Sequence, residues 1–382
     1  MSRIRSMHSC ATDARQAARE FYEGVIQPDT EAVVFFCSSE YDLDALAKEL
    51  RTLFGEVPLI GCTTAGEIGP AGYRTRSLSG ISFPAGACTA VAGRLGELQE
   101  FSIARGQAFA QSLLQSLEQR CPEANADNAF GFMMIDGLSI REEPVTRTLQ
   151  TALGKIQLVG GSAGDDLKFA RTWVYHGGAF HDDSAVMLLM HTELPFRIFK
   201  TQHFASQDER LVVTEADTER RIVKEINGLP AAEEYARLIG KSVENLAPAS
   251  FAEAPVVVLI DGTDYVRSIQ KALPDGSLSF YCAIDEGLVL RVAAGVDLVA
   301  NLDAAFAGIH ETLGEPQAVL ACDCILRNLE VSHNGSKPAV EAMLRRNNAV
   351  GFSTYGEQFG GVHVNQTFTG IAFGYAAGAG HA

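Results

Sequence analysis

Three short stretches of the chain repeat one combination of glycine, hydroxyl and acidic residues. They read GCTTAGE at residues 61–67, GGSAGD at 160–165 and GFSTYGE at 351–357. Glycine allows a tight turn or a close backbone approach, and short hydroxyl side chains bond loop amides. One interpretation is therefore that the loops hold a repeated architecture together. The other is that they line one shared ligand site, whose candidate residues are Thr63, Thr64, Glu67, Ser162, Asp165, Ser353, Thr354 and Glu357.

Other chemistry is less well supported by the residue pattern. Acids in the three loops disfavour a phosphate ligand, and their glycines match neither the dinucleotide nor the P-loop pattern. H-E-x-x-H is absent, and the acids of HDD at 181–183 and DYVR at 264–267 are of the kind that caps turns or is solvated. A lone cysteine nucleophile with a remote histidine stays open. We expect that the chain is not an enzyme.

The eight cysteines indicate a reducing environment. Most lie in apolar runs such as VVFFCSS and VLACDCIL, where a buried reduced thiol is the ordinary interpretation. Cys322 and Cys324 form the one close pair, but the further ligands that a zinc site needs do not accompany them.

The elements that position the three loops also repeat. Before each loop the pattern predicts a strand, an amphipathic helix and a second strand, and after each loop it predicts another strand. The strands are continuous apolar runs, which is typical of strands buried on both faces. We therefore expect superposable βαβ units over residues 31–83, 129–190 and 317–374.

The middle of the chain differs from these units. Residues 196–226 and 255–294 read as strands joined by turns such as Asp275-Gly276 and Glu286-Gly287, which predicts an antiparallel section. The expected fold class is α/β, with two related domains built from βαβ units with mixed sheets and this antiparallel section between them. We expect an N-terminal extension over 1–27, a first domain over 28–220 and a second over 221–376.

Charge and hydropathy exclude several classes of partner. The chain has 382 residues and a formal net charge of −16, and an acidic surface of this strength repels nucleic-acid backbones and anionic lipid. No run of 18 apolar residues occurs, and the N-terminus lacks the apolar block of a secretory signal. We expect a cytoplasmic protein that binds neither nucleic acid nor membrane.

Several segments resemble the FIST family, which is named for F-box and intracellular signal transduction. The first half carries VVFFCSSEYDLDAL and PLIGCTTAGEI. The second half carries INGLPAAEEYARLIG, YVRSIQKALPDGSLSFYCAIDEG and GFSTYGEQFGGVHVNQTFTG. The resemblance covers roughly residues 30–375. It implies an intracellular sensory module, and since no output domain is recognisable here, we expect regulation of a separate histidine kinase or cyclic-di-GMP enzyme. A homodimer stays open.

The block from FKTQHF to EINGLPAAEEYARLIG is similar to the haem-containing nitric-oxide sensors of that family. This similarity implies non-covalent haem b with a histidine as the axial ligand of the iron. His203 is the first candidate, with Phe199 and Phe204 as pocket residues and Arg197 and Lys200 as cations for the propionates. His181 and His176 are the other candidates. The alternative is a non-haem sensor of the same fold that binds an amino acid or another small metabolite.

Overall fold

Two similar series of elements make up the first half of the chain. The computed structural model describes residues 3–260 and 262–376. The first series contains β1 Arg5–Ser9, α1 Ala14–Val25, β2 Thr30–Ser38, α2 Leu43–Phe54, β3 Leu59–Thr64, β4 Glu67–Gly69, β5 Gly72–Arg74 and β6 Leu78–Pro84. The second contains β7 Cys88–Gly96, α3 Ile103–Arg120, β8 Ala129–Ile135, α4 Glu142–Leu153, β9 Gln157–Ser162, β10 Val174–His176, β11 Ala179–His181 and β12 Ser184–Thr192.

A third series begins with β13 Phe196–Thr201 and is interrupted by an inserted section. The insertion contains β14 Phe204–Asp217, β15 Ile222–Ile226, β16 Leu229–Pro230, α5 Ala231–Leu238, α6 Pro248–Glu253, β17 Val256–Ile260, β18 Thr263–Arg267, β19 Ile269–Ala272, β20 Leu278–Phe280 and β21 Val289–Gly295. The third series then resumes with α7 Leu298–Leu313, β22 Ala318–Cys324, α8 Ile325–His333, α9 Lys337–Arg346, β23 Ala349–Thr354, β24 Glu357–Phe359, β25 Val362–Val364 and β26 Phe368–Phe373. We call these three series units one, two and three.

The three units share one strand pairing. In each, the first buried strand pairs in parallel with the strand after the helix and antiparallel with the last strand, as β2 does with β3 and β6. The same holds for β8 with β9 and β12, and for β22 with β23 and β26. The predicted repeat of βαβ units is therefore confirmed, as are the mixed sheets and the antiparallel middle section, in which every strand pair is antiparallel.

Each unit gives a hairpin to the next sheet, so that the units are interlocked. The hairpin β4–β5 of unit one pairs with β23 of unit three, β10–β11 of unit two pairs with β3 of unit one, and β24–β25 of unit three pairs with β9 of unit two. Because each hairpin comes after one of the repeated loops in the chain, this exchange brings the three loops to one place.

The main core lies between the three sheets. Phe36 of unit one stacks on Phe352 of unit three with ring centroids 4.6 Å apart, and it also meets Phe132 of unit two. The outer sheet faces are covered by helices, with α1 and α2 on unit one and α3 and α4 on unit two. This explains why the strands are apolar on both faces.

Candidate functional site

The three repeated loops meet through a ring of backbone hydrogen bonds, but their hydroxyl residues lie at the ends of β3, β9 and β23 rather than in the connections that follow. Ala65 N donates to Ser353 O at 3.0 Å, Tyr355 N donates to Ser162 O at 3.2 Å, and Gly164 N donates to Thr63 O at 3.0 Å. Each bond joins equivalent atoms of two different units. The sequence therefore placed Thr63, Ser162 and Ser353 correctly as equivalent residues, and the loops do come together.

Two of the three predicted loop acids are buried and bonded inside their own units. Glu67 accepts hydrogen bonds from Thr64 Oγ1 at 2.5 Å and from both the amide and the hydroxyl of Ser77. Glu357 repeats the arrangement with Thr354 and Thr367. Burial raises the pKa of each carboxyl to about 8, although these bonds oppose the shift. Both acids are therefore largely protonated near neutral pH, and in that form the proton of each lies within reach of a neighbouring loop hydroxyl, so that these carboxyls serve the loops rather than a ligand.

The third predicted acid, Asp165, is not equivalent to the other two, and this part of the repeat was wrong. Unit two has an extra segment at residues 165–172, so that Val174 takes the pairing position of Glu67 and Glu357. Asp165 instead accepts bonds from the amides of 169, 170 and 171 and from the Tyr355 hydroxyl. Its carboxylate thus shapes the extra segment.

A group of polar side chains, four buried and one half-buried, lies where unit three meets the inserted section. We call it the buried polar cluster: Arg267, Ser268, Gln358, His363 and Asn365. Gln358 Nε2 lies 3.2 Å from His363 Nδ1, Arg267 Nη1 donates to His363 O at 3.4 Å, and Ser268 N donates to Asn365 Oδ1 at 3.4 Å. The cluster is contributed by β18 and the residue after it, by β24, and by β25 and the residue after it.

Each member of the cluster has a buried polar atom that no described residue bonds. These atoms are Arg267 Nε, Ser268 Oγ, Gln358 Oε1, His363 Nε2 and Asn365 Nδ2. Two of them converge, because a Cβ built on Gly356 would lie 2.7 Å from His363 Nε2 and 2.8 Å from Asn365 Nδ2. Native proteins leave few such atoms unbonded, since each costs about 1–3 kcal/mol.

The buried polar cluster contains a neutral histidine and a charged arginine. Burial lowers the pKa of His363 to about 4, although Glu143 and the Tyr281 carbonyl oppose the shift, so that the imidazole is neutral. Arg267 is half-buried, and no carboxylate of residues 3–260 or 262–376 lies within ion-pair distance of it. The cluster therefore contains one unpaired cation.

A buried ion pair borders the cluster on the side of unit two. Arg221 donates to Glu142 at 2.6 Å, to Glu143, and to the Tyr281 carbonyl at 2.7 Å. Glu143 in turn accepts from Ala283 N at 2.6 Å. Burial raises the pKa of Glu142, and Arg221 opposes the shift. This bridge fixes α4 against the inserted section.

Ser162 is the predicted loop residue that touches the cluster. Its hydroxyl accepts from Gln358 Nε2 at 2.9 Å and is completely buried. Residues 160–164 also spell G-x-S-x-G. An elbow of that kind needs an exposed serine beside a general base. Among the described residues Gln358 is the side chain that bonds this hydroxyl, so the pattern is not a nucleophile elbow.

His203 lies between β13 and β14 rather than on a strand. Its Nε2 is 2.9 Å from a Glu330 carboxylate oxygen, and its Nδ1 is 3.1 Å from Arg327 Nη1. The Nε of the same arginine donates to Asp323. Tyr73 of unit one donates to the same aspartate. Because both ring nitrogens already have protein partners, this histidine does not fit an axial haem ligand in the present arrangement.

The residues predicted around His203 have separate roles. Arg197 donates to Gly308 O and to Thr312, which ties β13 to α7. The Lys200 ammonium lies 4.7 Å from the Tyr265 ring centroid, and burial lowers its pKa. Phe199 packs on Phe368, and Phe204 packs on the His203 ring. The structure therefore does not bring these side chains together around one haem-sized space.

His176 and His181 lie on one hairpin, and His176 lines a cleft of about 400 Å³. Its apolar wall includes Leu50, Phe54 and Pro58, and Arg51 lies at the same cleft. Burial lowers the pKa of His176, while a bond to the Ala92 carbonyl opposes the shift. His181 Nε2 lies 3.2 Å from the His176 carbonyl. A neutral imidazole with one nitrogen on a carbonyl, an apolar wall and a cation fit the needs of haem.

Comparison with solved structures finds distant similarity only. Solved structures of cyanuric acid hydrolase are similar at 9% identity. The match to the A. caulinodans enzyme has a TM-score of 0.41 and covers 98% of this chain and 100% of the enzyme's chain. The match to a second structure has a TM-score of 0.38 and covers 97% of this chain and 99% of the other chain. Similarity at this level does not bear on function. A comparison with curated proteins finds no match. Within the described residues, no helix is long and apolar enough to cross a membrane.

Two domain families account for most of the sequence. Residues 31–229 match the FIST N domain, and residues 231–360 match the FIST C domain. Unit one from residue 31 onward and all of unit two lie in the first match, whereas β1 and α1 precede it. Most of the inserted section and of the resumed unit three lies in the second. FIST domains generally sense small ligands in signalling proteins. The chain therefore belongs to the FIST family.

Proposed function

We propose that this protein is a signal-transduction sensor that binds a small anionic, hydrogen-bonding molecule at the buried polar cluster. The observation that carries the proposal is the group of five buried polar atoms without partners. A ligand with both donors and acceptors would satisfy them. An amino acid or another small carboxylate has this chemistry.

The preference for an anion rests on Arg267. The half-buried guanidinium has a buried Nε without a partner, and a carboxylate can accept two of its N–H groups at once. Asn365 Nδ2 and Ser268 Oγ offer further donors, while Gln358 Oε1 offers an acceptor. The neutral His363 can donate or accept, depending on its tautomer. The site therefore favours a carboxylate that also carries a hydrogen-bond donor.

The position of the cluster also suits a sensor. Gln358, His363 and Asn365 come from unit three, whereas Arg267 and Ser268 come from the inserted section. A ligand that bonds residues of both parts stabilises the state in which unit three and the inserted section are packed together. It therefore increases the population of that state. We propose that this shift regulates a separate histidine kinase or cyclic-di-GMP enzyme.

A thermal-shift screen tests the binding proposal. The purified protein is heated with a panel of amino acids and small carboxylates, and we expect at least one compound to raise its unfolding temperature. Arg267→Met and His363→Gln should remove the shift. Arg291→Met is the matched control, because Arg291 lies in the same sheet on β21 and outside the cluster. The proposal fails if no compound acts, or if Arg267→Met responds like the wild type.

The haem sensor is a second candidate, and the cleft beside His176 favours it. There His176 would hold the iron and Arg51 a propionate. Bound haem supplies an iron that takes diatomic gases such as nitric oxide on its free face. Absorption spectra of protein produced with added haem test this candidate. His176→Ala should lose the haem band, whereas His310→Ala, on α7, should keep it; equal haem content in both variants excludes the cleft.

A further inference from the structure

A cysteine, a carboxylate and a histidine lie together at the far end of unit two. They are Cys121, Glu123 and His191, and their candidate ligand atoms all lie within 4.8 Å of one another. Cys121 and His191 are 3% and 6% exposed, and Glu123 is exposed. The group lies outside the buried polar cluster and outside the cleft of His176.

The backbone holds all three residues in place. Cys121 is the C-cap residue that follows α3, and its amide donates to Leu117 O at 2.7 Å. The Glu123 carbonyl accepts from the side-chain amides of Asn125 and Asn128 at 2.8 and 3.1 Å. His191 lies on β12 between two paired strands, opposite Ala129 and Thr89. The side chains thus project from a fixed frame rather than from a loose loop.

The donor set selects a class of ion. A thiolate sulfur, an imidazole nitrogen and a carboxylate oxygen are the ligands of Zn²⁺ and related transition metals, whereas Ca²⁺ and Mg²⁺ take oxygen alone. The C-terminal end of α3 adds the negative end of a helix dipole beside Cys121. We propose that Cys121, Glu123 and His191 bind a transition-metal ion of the Zn²⁺ class.

Three protein ligands leave one tetrahedral position open. His191 also lines a neighbouring cleft of about 530 Å³, together with Asp127, Asn128 and Thr192. An exogenous ligand in this cleft can therefore reach the open position. On binding, the Cys121 thiol loses its proton to solvent and forms one sulfur–metal bond, with no change of oxidation state.

Cobalt binding tests the site in the full-length protein. We expect added Co²⁺ to give a near-ultraviolet charge-transfer band from a thiolate, and added Zn²⁺ to remove it by competition. Cys121→Ser should abolish the band, and His191→Gln should weaken Co²⁺ binding by roughly tenfold or more. Cys10→Ser is the control, because Cys10 is the exposed free cysteine among the described residues.

If Cys121→Ser or His191→Gln folds poorly, Glu123→Gln still tests the metal site. Glu123 is exposed, so this change should leave the circular-dichroism spectrum unaltered while weakening Co²⁺ binding. The proposal is overturned if the wild type shows no thiolate band with Co²⁺. It is also overturned if Cys121→Ser keeps the band, or if Glu123→Gln binds Co²⁺ as tightly as the wild type.

Discussion

Replacing Glu67 by glutamine should change the way in which stability depends on pH. Burial raises the pKa of this carboxyl from an ordinary 4.5 to about 8 in the folded protein. The folded state therefore holds the proton more tightly than the unfolded chain does. The stabilisation from this group is complete below about pH 4.5 and is lost as pH rises through about 8.

The size of the effect follows from the part of the shift that is titrated. Between about pH 6 and about pH 9, the carboxyl is protonated in the folded protein and ionised in the unfolded chain over roughly two pH units, up to its folded pKa of about 8. At about 1.4 kcal/mol per unit, the wild type loses roughly 3 kcal/mol from this group. Glutamine has no such titration, and it can place its oxygen toward Ser77 and its nitrogen toward Thr64.

Urea unfolding at both pH values measures the difference. We expect Glu67→Gln to gain roughly 3 kcal/mol of unfolding free energy relative to the wild type when pH rises from about 6 to about 9. Glu118→Gln, at an exposed position of α3, controls for the loss of one charge. If the difference between Glu67→Gln and the wild type is the same at both pH values, the carboxyl is not protonated in the fold and the reasoning is wrong.

Three further variants test the packing by urea unfolding. Gly351→Ala puts a Cβ 1.8 Å from the Ala321 carbonyl oxygen and should cost about 3 kcal/mol, whereas Gly86→Ala meets no atom within 4 Å and should cost little. Arg221→Met leaves the buried Glu142 and the half-buried Glu143 unpaired and should cost roughly 3–5 kcal/mol at neutral pH; an unchanged midpoint would contradict the buried pair. Tyr73→Phe removes a bond to buried Asp323 and should cost about 1–3 kcal/mol, and no loss would contradict that bond.

The sequence predicts the local architecture well because its signals are local. Continuous apolar runs such as 32–37 and 318–322 become strands covered on both faces, and the repeated Gly-hydroxyl stretches become the equivalent ends of β3, β9 and β23. The exchange of hairpins between units has no local signal, since the pairing of β4 with β23 joins residues far apart in the chain. The acid at Asp165 was misplaced because an extra segment interrupts the loop of unit two.

The candidate site was harder to foresee. His203 drew attention through its aromatic and basic neighbours, but spacing along a chain does not reveal that Glu330 and Arg327 already occupy its ring nitrogens. His363 and Asn365 stand in the short polar run HVNQT beside a repeated loop, and that run was the available signal. Their meeting with Arg267 depends on how the inserted section packs on unit three.

The most direct test of the proposed sensor is an equilibrium titration of Arg267→Met against the wild type. The ligand is the compound that stabilises the wild type most in the thermal-shift screen. We expect calorimetry to show one binding site per chain in the wild type, and an affinity at least roughly tenfold weaker in Arg267→Met, which corresponds to about 1.4 kcal/mol. Equal affinity in the two proteins would contradict binding at the buried polar cluster.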